Sequence, residues 1–327
     1  MTSAASTPVV DVALPDLERW AAGNAGIPYV WRFSSGTGDP AVTVQALTHG
    51  NEVCGAIALD WLLRTGRKPE RGTLTIVFAN VAAYQTFDAV DPFAARCLDE
   101  DFNRVWDADV LDSARASREL ARARELRPCY DATQFLLDLH SMTDPCAALA
   151  LAGRRRKGID LALAIGMPEH VVVDAGHQAG RRLRDYAHFD DPGDPRNALL
   201  VECGQHWEAS APIVAQQVML RFLRHFRMAE AAFIDTHLDT AALPPQRTIA
   251  VTDVVTIETA AFEFTIPVAG MLTVAAGGTL IARDGARAIR TPYDDCVLIM
   301  PTRRPRRGET AVRLGRYLDA ASMASYQ

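Results

Sequence analysis

The sequence predicts an α/β fold, with a mostly parallel or mixed central sheet covered by helices on both faces, followed by a smaller all-β C-terminal domain. The chain of 327 residues is 49% apolar and 23% charged, which are ordinary globular proportions. Up to about residue 235, short apolar runs alternate with segments of helical periodicity, as is typical of parallel sheets. Beyond residue 240, short strand-like runs separated by Gly, Asp and Pro replace that rhythm.

The elements of the first part follow from apolar periodicity. Each predicted strand is a short apolar run, and each predicted helix has apolar residues at spacings of three and four. Gly66 is expected to end the first helix and Pro128 to stop the second, because neither residue continues a helix well. Strands are predicted at residues 41–47, 73–80, 134–140, 147–152, 170–174 and 198–202, and helices at residues 51–65, 113–126 and 212–227.

The C-terminal part is predicted to be all β. A Pro-containing stretch at residues 243–245 precedes the change of pattern. We therefore expect an α/β domain of residues 1–240 and a β domain of residues 241–327. The predicted strands of the second domain are residues 248–257, 263–267, 271–275, 279–283 and 296–301.

Charge and composition exclude several classes of protein. Lys plus Arg total 34 and Asp plus Glu total 40, a net charge of −6, which argues against nucleic-acid or membrane-surface partners. The longest apolar run, residues 54–63, contains Asp60 and is shorter than the roughly 18 residues of a membrane helix. No leader pattern is visible, and the six Cys form no C-x-x-C pair, which favours reduced thiols. We expect a cytoplasmic protein.

Three potential metal ligands follow predicted strands. His49 and Glu52 lie where the first strand gives way to a helix, and His140 ends the run FLLDLH. Ligands bind beyond the carboxyl ends of strands in open α/β sheets, and two His with one Glu form a catalytic zinc site with one open position. Asp138 would share a strand face with His140 and orient it. Alternatively, Glu52 is a surface residue and His140 a hydrogen-bonded core histidine.

Two further groups could complete a reaction centre. Glu202 ends the apolar run ALLVE, where a carboxylate is costly unless it has a partner or a function. It could act as a general base for a metal-bound water, or instead pair with an arginine. Arg96, Asn103 and Arg104 belong to RCLDEDFNR, which could bind a carboxylate and an oxyanion, or form surface salt bridges with its own acidic residues.

Taken together, these segments resemble the succinylglutamate desuccinylase/aspartoacylase family, relatives of the zinc carboxypeptidases. The family order is H-x-x-E, R-x-x-D-x-D-L-N-R, D-L-H and E-x-G. This chain has HGNE at 49–52, RCLDEDFNR at 96–104, DLHS at 138–141 and ECG at 202–204. The resemblance covers roughly residues 40–210, and the C-terminal part matches in its all-β character. It implies a zinc carboxypeptidase-like α/β domain.

The resemblance also implies roles for individual residues. One zinc ion per chain would be held by three metal ligands: His49, Glu52 and His140. Glu202 would take the proton from zinc-bound water, and Arg96 would stabilise the oxyanion. Asn103 and Arg104 would hold a substrate carboxylate. Phe102 replaces the usual Leu, and the segment after Glu202 departs from better-known members, which affects the acyl-side pocket.

Other residues are weaker candidates. One arginine of a Gly- and His-rich loop could reach the substrate: Arg181, Arg182 or Arg184. Four further residues could line the pocket or relay protons, although solvated positions are the alternative for the histidines: His177, His188, His206 and Trp207. The basic runs at 154–157 and 303–307 are interpreted as solvated faces or helix starts, because neither carries interleaved aromatic residues.

The leading hypothesis is a zinc-dependent amidohydrolase that cleaves the amide bond of an N-acyl amino acid or a related small carboxylate-bearing amide. The substrate would be a small molecule with a carboxylate, and sheet edges of the β domain could pair between identical chains. One alternative is a zinc carboxypeptidase acting on short peptides with the same metal machinery. A second is a metal-binding or regulatory module without catalysis.

Overall fold

The computed structural model describes residues 9–176 and 179–326. Its strands are β1 Val30–Ser34, β2 Ala41–Ala46, β3 Thr73–Phe78, β4 Phe135–Met142, β5 Leu149–Leu151, β6 His170–Val173, β7 Asn197–Gln205, β8 Arg247–Thr256, β9 Phe262–Phe264, β10 Leu272–Val274, β11 Leu280–Asp284, β12 Arg287–Arg290, β13 Cys296–Ile299 and β14 Thr310–Tyr317. Its helices are α1 Val53–Arg64, α2 Val81–Tyr84, α3 Ala108–Leu111, α4 Arg118–Asp131, α5 Arg156–Ile165, α6 Ser210–His225, α7 Ala231–His237 and α8 Ala320–Met323.

The central sheet is mixed, as predicted. Within the described residues it has eleven strands in the order β1-β3-β2-β4-β7-β5-β6-β8-β14-β13-β10. The strands β3, β2, β4 and β7 pair in parallel, and so do β5, β6 and β8. Because β2, β4 and β7 run in one direction, their carboxyl ends meet at the same edge of the sheet. That edge is where the predicted site residues lie.

Helices cover both faces of this sheet. Neighbouring residues of β4 point to opposite faces, so Leu136 packs in one apolar cluster and Leu137 in another. The Leu137 cluster includes residues of α1, α5 and α6, whereas the Leu136 cluster includes residues of α4. Burial on both faces explains why the parallel strands are continuous apolar runs.

The helix predicted at residues 113–126 is wrong at both ends. Helix α4 begins after Ser117, whose Oγ accepts a hydrogen bond from the N–H of Leu120 and thus caps the helix. It continues through Pro128 to Asp131 instead of stopping at the proline. The missing N–H of Pro128 removes one main-chain bond, but the following Cys129 and Tyr130 are buried in the core. Packing of these two side chains therefore outweighs the local cost of proline.

The C-terminal part is rich in strands, as predicted, but four of its strands belong to the central sheet. Strand β8 pairs in parallel with β6, and β14, β13 and β10 follow in antiparallel order. Strands β9, β11 and β12 form a separate small antiparallel sheet. A domain boundary near residue 240 stays a prediction. Within the described residues, no helix has both the length and the apolar character needed to span a membrane.

Candidate metal centre and its pocket

The three predicted metal ligands converge. Ligand atoms of His49, Glu52 and His140 all lie within 4.8 Å of one another, and all three residues are buried. The two carboxylate oxygens of Glu52 face one imidazole each, with Oε1 lying 2.7 Å from His49 Nδ1 and Oε2 lying 2.9 Å from His140 Nδ1. The prediction that distant segments bring two imidazoles and a carboxylate together is therefore confirmed.

The turn between β2 and α1 positions two of these ligands. Leu47 has a φ of 60°, which turns the chain sharply just after β2. Gly50 lies so close to the main chain of another loop that a Cβ atom would come within 2.5 Å of Ala95 O. Helix α1 then begins at Val53, and Glu52 is its N-cap residue. This local geometry directs the side chains of His49 and Glu52 to the same point.

Carboxylates hold the far sides of both imidazoles. Nε2 of His49 lies 2.9 Å from Asp101 Oδ1, and Nε2 of His140 lies 2.9 Å from Asp138 Oδ2. Such partners fix the ring orientation and leave each Nδ1 directed at the shared centre. The role suggested for Asp138 agrees with this contact. Sequence reasoning missed Asp101, because it stands among three consecutive acidic residues that were expected to form surface salt bridges.

The charges around the cluster favour a cation. Burial acts to raise the pKa of Glu52, but the two imidazoles hold this pKa well below its usual range. The pKa of His140 is raised well above its ordinary value, since Asp138 and Glu52 outweigh the opposing effect of burial. The residues fit a divalent metal ion, because buried imidazoles and a carboxylate are the donors that catalytic zinc sites use.

Glu202 lies beside the ligand cluster and lines the same pocket. It is on β7 directly opposite His140 of β4 in the sheet register. Its Oε2 is buried without a hydrogen-bond partner among the described residues. Burial raises the pKa of Glu202 to about 7, helped by Glu52 and opposed mainly by His140. A carboxyl group of this kind can accept and release a proton near neutral pH.

Arg96 reaches the metal centre from a short turn, Ala94–Arg96. Its Nη2 donates a hydrogen bond of 2.9 Å to Asp101 Oδ2, and its Nη1 lies 3.4 Å from Glu52 Oε1. The pKa of Arg96 is raised because Asp101 and Glu52 outweigh burial, which acts to lower it. The charged guanidinium can therefore stabilise negative charge that develops beside the metal centre.

Asn103 and Arg104 also line the pocket, on the short turn Phe102–Arg104. Asn103 Oδ1 accepts a hydrogen bond of 2.8 Å from the N–H of Leu183, so its side-chain NH₂ group is the end left for a ligand. Arg104 Nη1 donates to the carbonyl of Asn103, and Nη2 is 3.9 Å from Asp101 Oδ2. The apolar residue in this motif, Phe102, is fully buried.

The three arginines of the Gly- and His-rich loop, which were weaker candidates for substrate contact, take different places. Of the three loop arginines, only Arg182 lines the pocket, whereas Arg181 pairs with Asp107 and Arg184 donates to the buried carbonyls of Ala152 and Ala198.

The histidines and the tryptophan take different places. His206 is buried behind the pocket, with Nδ1 2.9 Å from Ser141 Oγ, and burial lowers its pKa to about 3. Trp207 is buried and donates to the carbonyl of Asn51. Buried His188 packs against Phe189 and is not among the described residues that line the pocket. His177 lies outside the described residues.

The C-terminal part supplies one wall of the pocket, which sequence reasoning did not foresee. The pocket has a volume of about 520 Å³. Arg304 and Arg306 line it, and the guanidinium of Arg304 stacks 3.6 Å from the ring centre of Phe93. The interpretation of the run 303–307 as a solvated face is therefore wrong for the half-buried Arg304, whereas Arg306 is exposed at the pocket. Arg313 of β14 also lines the pocket.

This α/β fold carries, at the carboxyl edge of its sheet, a buried His-Glu-His cluster that could hold a metal ion. Residues 38–226 match the model of the succinylglutamate desuccinylase/aspartoacylase catalytic domain. The chain belongs to this family, whose members are amide hydrolases, or deacylases.

Relatives agree with this assignment. A probable aspartoacylase from Parasynechococcus marenigrum (strain WH8102) is 33% identical over 153 residues, which are 42% of this chain and 48% of the relative. The chain thus matches about half the length of that relative. Succinylglutamate desuccinylase structures from Vibrio parahaemolyticus and Vibrio cholerae superpose with TM-scores of 0.62 and 0.64, both at 17% identity. They cover 89% of this chain and 87% and 86% of their own chains.

A third solved structure is the ectoine utilization protein EutE (DoeB) from Ruegeria pomeroyi. It superposes with a TM-score of 0.61 at 16% identity, over 88% of both chains. At these identities the structural likeness shows the fold alone.

Proposed function

We propose that this protein is a zinc-dependent amidohydrolase that hydrolyses the amide bond of an N-acyl amino acid or a related small carboxylate-bearing amide. The observation that carries the proposal is the convergence of His49, Glu52 and His140 next to a buried, unpartnered Glu202. Family membership supports the same reaction class. The zinc ion and the role of each residue are part of the proposal.

Different residues would carry out metal binding, proton transfer and stabilisation of the oxyanion during amide hydrolysis. A zinc ion held by His49, Glu52 and His140 would supply Lewis acidity, which lowers the pKa of water and polarises a carbonyl. Glu202 removes a proton from the attacking water while the water oxygen bonds to the carbonyl carbon. Arg96 donates hydrogen bonds to the carbonyl oxygen as that atom gains negative charge.

The second half of the reaction releases the amine. Glu202 delivers its proton to the amide nitrogen, the carbonyl re-forms as the C–N bond breaks, and a carboxylic acid and an amine result. The proton of the acid then passes to the amine, so that the products leave as a carboxylate and an ammonium ion. Asn103 and Arg104 orient the substrate by binding its carboxylate, because a guanidinium and an amide N–H suit that group.

A metal-binding module without catalysis is less well supported. Glu202 faces the same pocket as the ligands and has no ion pair with an arginine among the described residues. A carboxypeptidase would use the same residues, so substrates must separate the two enzymes. A panel of N-acetyl, N-succinyl and N-formyl amino acids beside dipeptides makes this comparison. We expect cleavage of an N-acyl amino acid in preference to every dipeptide.

The Glu202→Gln substitution tests the reaction centre. We expect purified wild-type protein to hold about one metal ion per chain and to lose activity to a chelator. The variant should keep its metal content and lose roughly 10²–10⁴-fold in kcat, the range for removal of a general base. Metal analysis and steady-state kinetics are the measurements. Glu263→Gln, a matched change at an exposed site on β9, should leave both unchanged. Normal turnover in Glu202→Gln would show that the base assignment is wrong.

A further inference from the structure

The pocket carries more positive charge than the proposed hydrolysis uses. Arg96 faces the proposed metal site and Arg104 the carboxylate site, but four further arginines line the pocket: Arg182, Arg304, Arg306 and Arg313. Arg304 is stacked on Phe93, and Arg306 is exposed and keeps its hydration, so the comparison is between Arg182 and Arg313. A pocket arginine can bind an anion only if its charge is not already neutralised by the protein. The pairing of each arginine therefore decides which of them is available to a ligand.

Arg182 is already neutralised. Its Nε donates to Asp185 Oδ2 at 2.6 Å, and Nη1 and Nη2 donate to the two oxygens of Asp174 at 2.9 and 2.8 Å. All of these groups are buried or nearly so, and Asp185 is shared with the buried Arg184. Two arginines and two aspartates thus form a closed network with no excess charge. Arg182 is a structural part of the wall and not an anion receptor.

The charge of Arg313, in contrast to that of Arg182, is not neutralised by an ion pair with a described residue. Arg313 lies on β14 and is half-buried, and its guanidinium makes no hydrogen bond or ion pair with any residue that the structure describes. Asp174 and Glu202 attract it electrostatically, but both oxygens of Asp174 are bonded to Arg182 and Glu202 makes no ion pair with Arg313. A half-buried guanidinium without a partner has lost part of its hydration, and no side chain of the described residues replaces it.

The electrostatic surroundings of Arg313 favour an incoming anion. Burial lowers the pKa of Arg313 and that of Arg104, and Arg313 also acts to lower the pKa of Arg104 by repulsion. A carboxylate bound at Arg313 would relieve this repulsion and restore the lost hydrogen bonds. The planar guanidinium can bind both carboxylate oxygens at once.

We propose that Arg313, contributed by the C-terminal strand β14, binds a second carboxylate of the substrate and determines specificity for it. This inference rests on the proposed amide hydrolysis, in which Asn103 and Arg104 bind the first carboxylate. The second carboxylate belongs either to the acyl group or to the side chain of the amino acid. The experiment distinguishes these two sources.

Two matched pairs of compounds provide the test. N-acetyl-aspartate and N-acetyl-asparagine differ only in a side-chain carboxylate, and N-succinyl-glycine and N-succinamoyl-glycine differ only in an acyl-group carboxylate. Hydrolysis of each is measured as kcat/KM, and binding is measured by calorimetry with metal-loaded Glu202→Gln protein. The variants are Arg313→Gln and, in case this one folds poorly, Arg313→Met. Arg316→Gln is the control, since Arg316 is an exposed arginine of the same strand that stacks on Tyr293.

We expect wild-type protein to prefer the dianionic compound of one pair, and that pair identifies the source of the carboxylate. Loss of Arg313 should reduce this preference roughly ten- to a hundredfold, the range for a charge-assisted hydrogen bond, in both kcat/KM and binding. Arg316→Gln should keep it. The inference is overturned if wild-type protein shows no such preference, or if the Arg313 variants retain it. Absence of hydrolysis in wild-type protein would overturn the proposed function, while calorimetry would still report on Arg313.

Discussion

Each ligand histidine is held between two carboxylates. Glu52 approaches the Nδ1 atoms of His49 and His140, and Asp101 and Asp138 approach their Nε2 atoms. With a metal ion bound, the carboxylates near Nε2 would favour the tautomer protonated at Nε2, which would leave the lone pair of each Nδ1 for the ion. The convergence of His49, Glu52 and His140 was predictable from strand ends and a short motif. Asp101 was not, because its partner is 52 residues away and only the fold brings them together.

We predict that Asp101→Asn weakens metal binding. The amide would still contact Nε2 of His49, but it would lack the charge that makes this imidazole a strong ligand and that balances Arg96. We expect a roughly 10–100-fold loss of metal affinity, measured by competition with a chelating dye. The matched control is Asp99→Asn, because Asp99 of the same loop pairs with Arg118 at the surface. Equal affinities for the two variants would contradict the role of Asp101.

At the scale of elements, the β2–α1 turn depends on close packing of main chains. Gly50 donates a hydrogen bond to the carbonyl of Arg96, which joins this turn to the one that carries the pocket arginine. The strands β2, β4 and β7 and the helices around them were predictable because apolar periodicity is a local property. Strand β14 was not predicted, since charged and apolar residues mix in its sequence and its pairing partners lie far away in the chain.

We predict that Gly50→Ala disrupts this junction. The added Cβ would lie 2.4 Å from the amide nitrogen of Tyr84 and 2.5 Å from Ala95 O, and main chain cannot move aside as a side chain can. We expect a loss of about 1–3 kcal/mol in the free energy of unfolding, measured in urea, together with reduced metal content. Gly38→Ala is the control, because a Cβ there meets no atom within 4 Å. If Gly50→Ala were as stable as wild-type protein, the main chain around Gly50 would have to move aside at little cost, and the prediction would be wrong.

At the scale of the whole molecule, buried ion pairs join distant parts of the structure. Asp185 lies between Arg182 on the pocket wall and Arg184, which is buried against β5 and β7. The two guanidinium groups hold the pKa of Asp185 at about 2, below its ordinary value of 3.8, although burial alone would raise it. A lowered carboxyl pKa stabilises the folded state above about pH 4, and this contribution disappears as the pH falls toward 2.

We predict that Asp185→Asn destabilises the protein by about 2 kcal/mol or more near neutral pH. The difference from wild-type protein should shrink as the pH falls from about 4 to about 2, because wild-type Asp185 then becomes protonated. Urea unfolding curves over this pH range measure both effects. Asp253→Asn, at an exposed position on β8, should change little at any pH. A destabilisation that stays constant down to pH 2 would contradict the assigned pKa.

The overall architecture was only partly predictable. The change of sequence pattern near residue 240 correctly predicted a β-rich segment. Local sequence patterns, however, do not show which strand of the central sheet the new strands pair with. The pairing of β8 with β6 decides this, and it brings β14 with Arg313 to the pocket. A pocket wall formed by tertiary pairing cannot be recognised from a motif.

The join between β6 and β8 also constrains the geometry of the pocket. Glu202 on β7 and Arg313 on β14 belong to strands of the same sheet, whereas Arg304 and Arg306 lie on the loop between β13 and β14. Moving β14 away from β7 would require breaking main-chain hydrogen bonds of that sheet, so the spacing between Glu202 and Arg313 is set by strand pairing. Altered selectivity is therefore most easily reached by exchanging side chains on the pocket wall and on this loop.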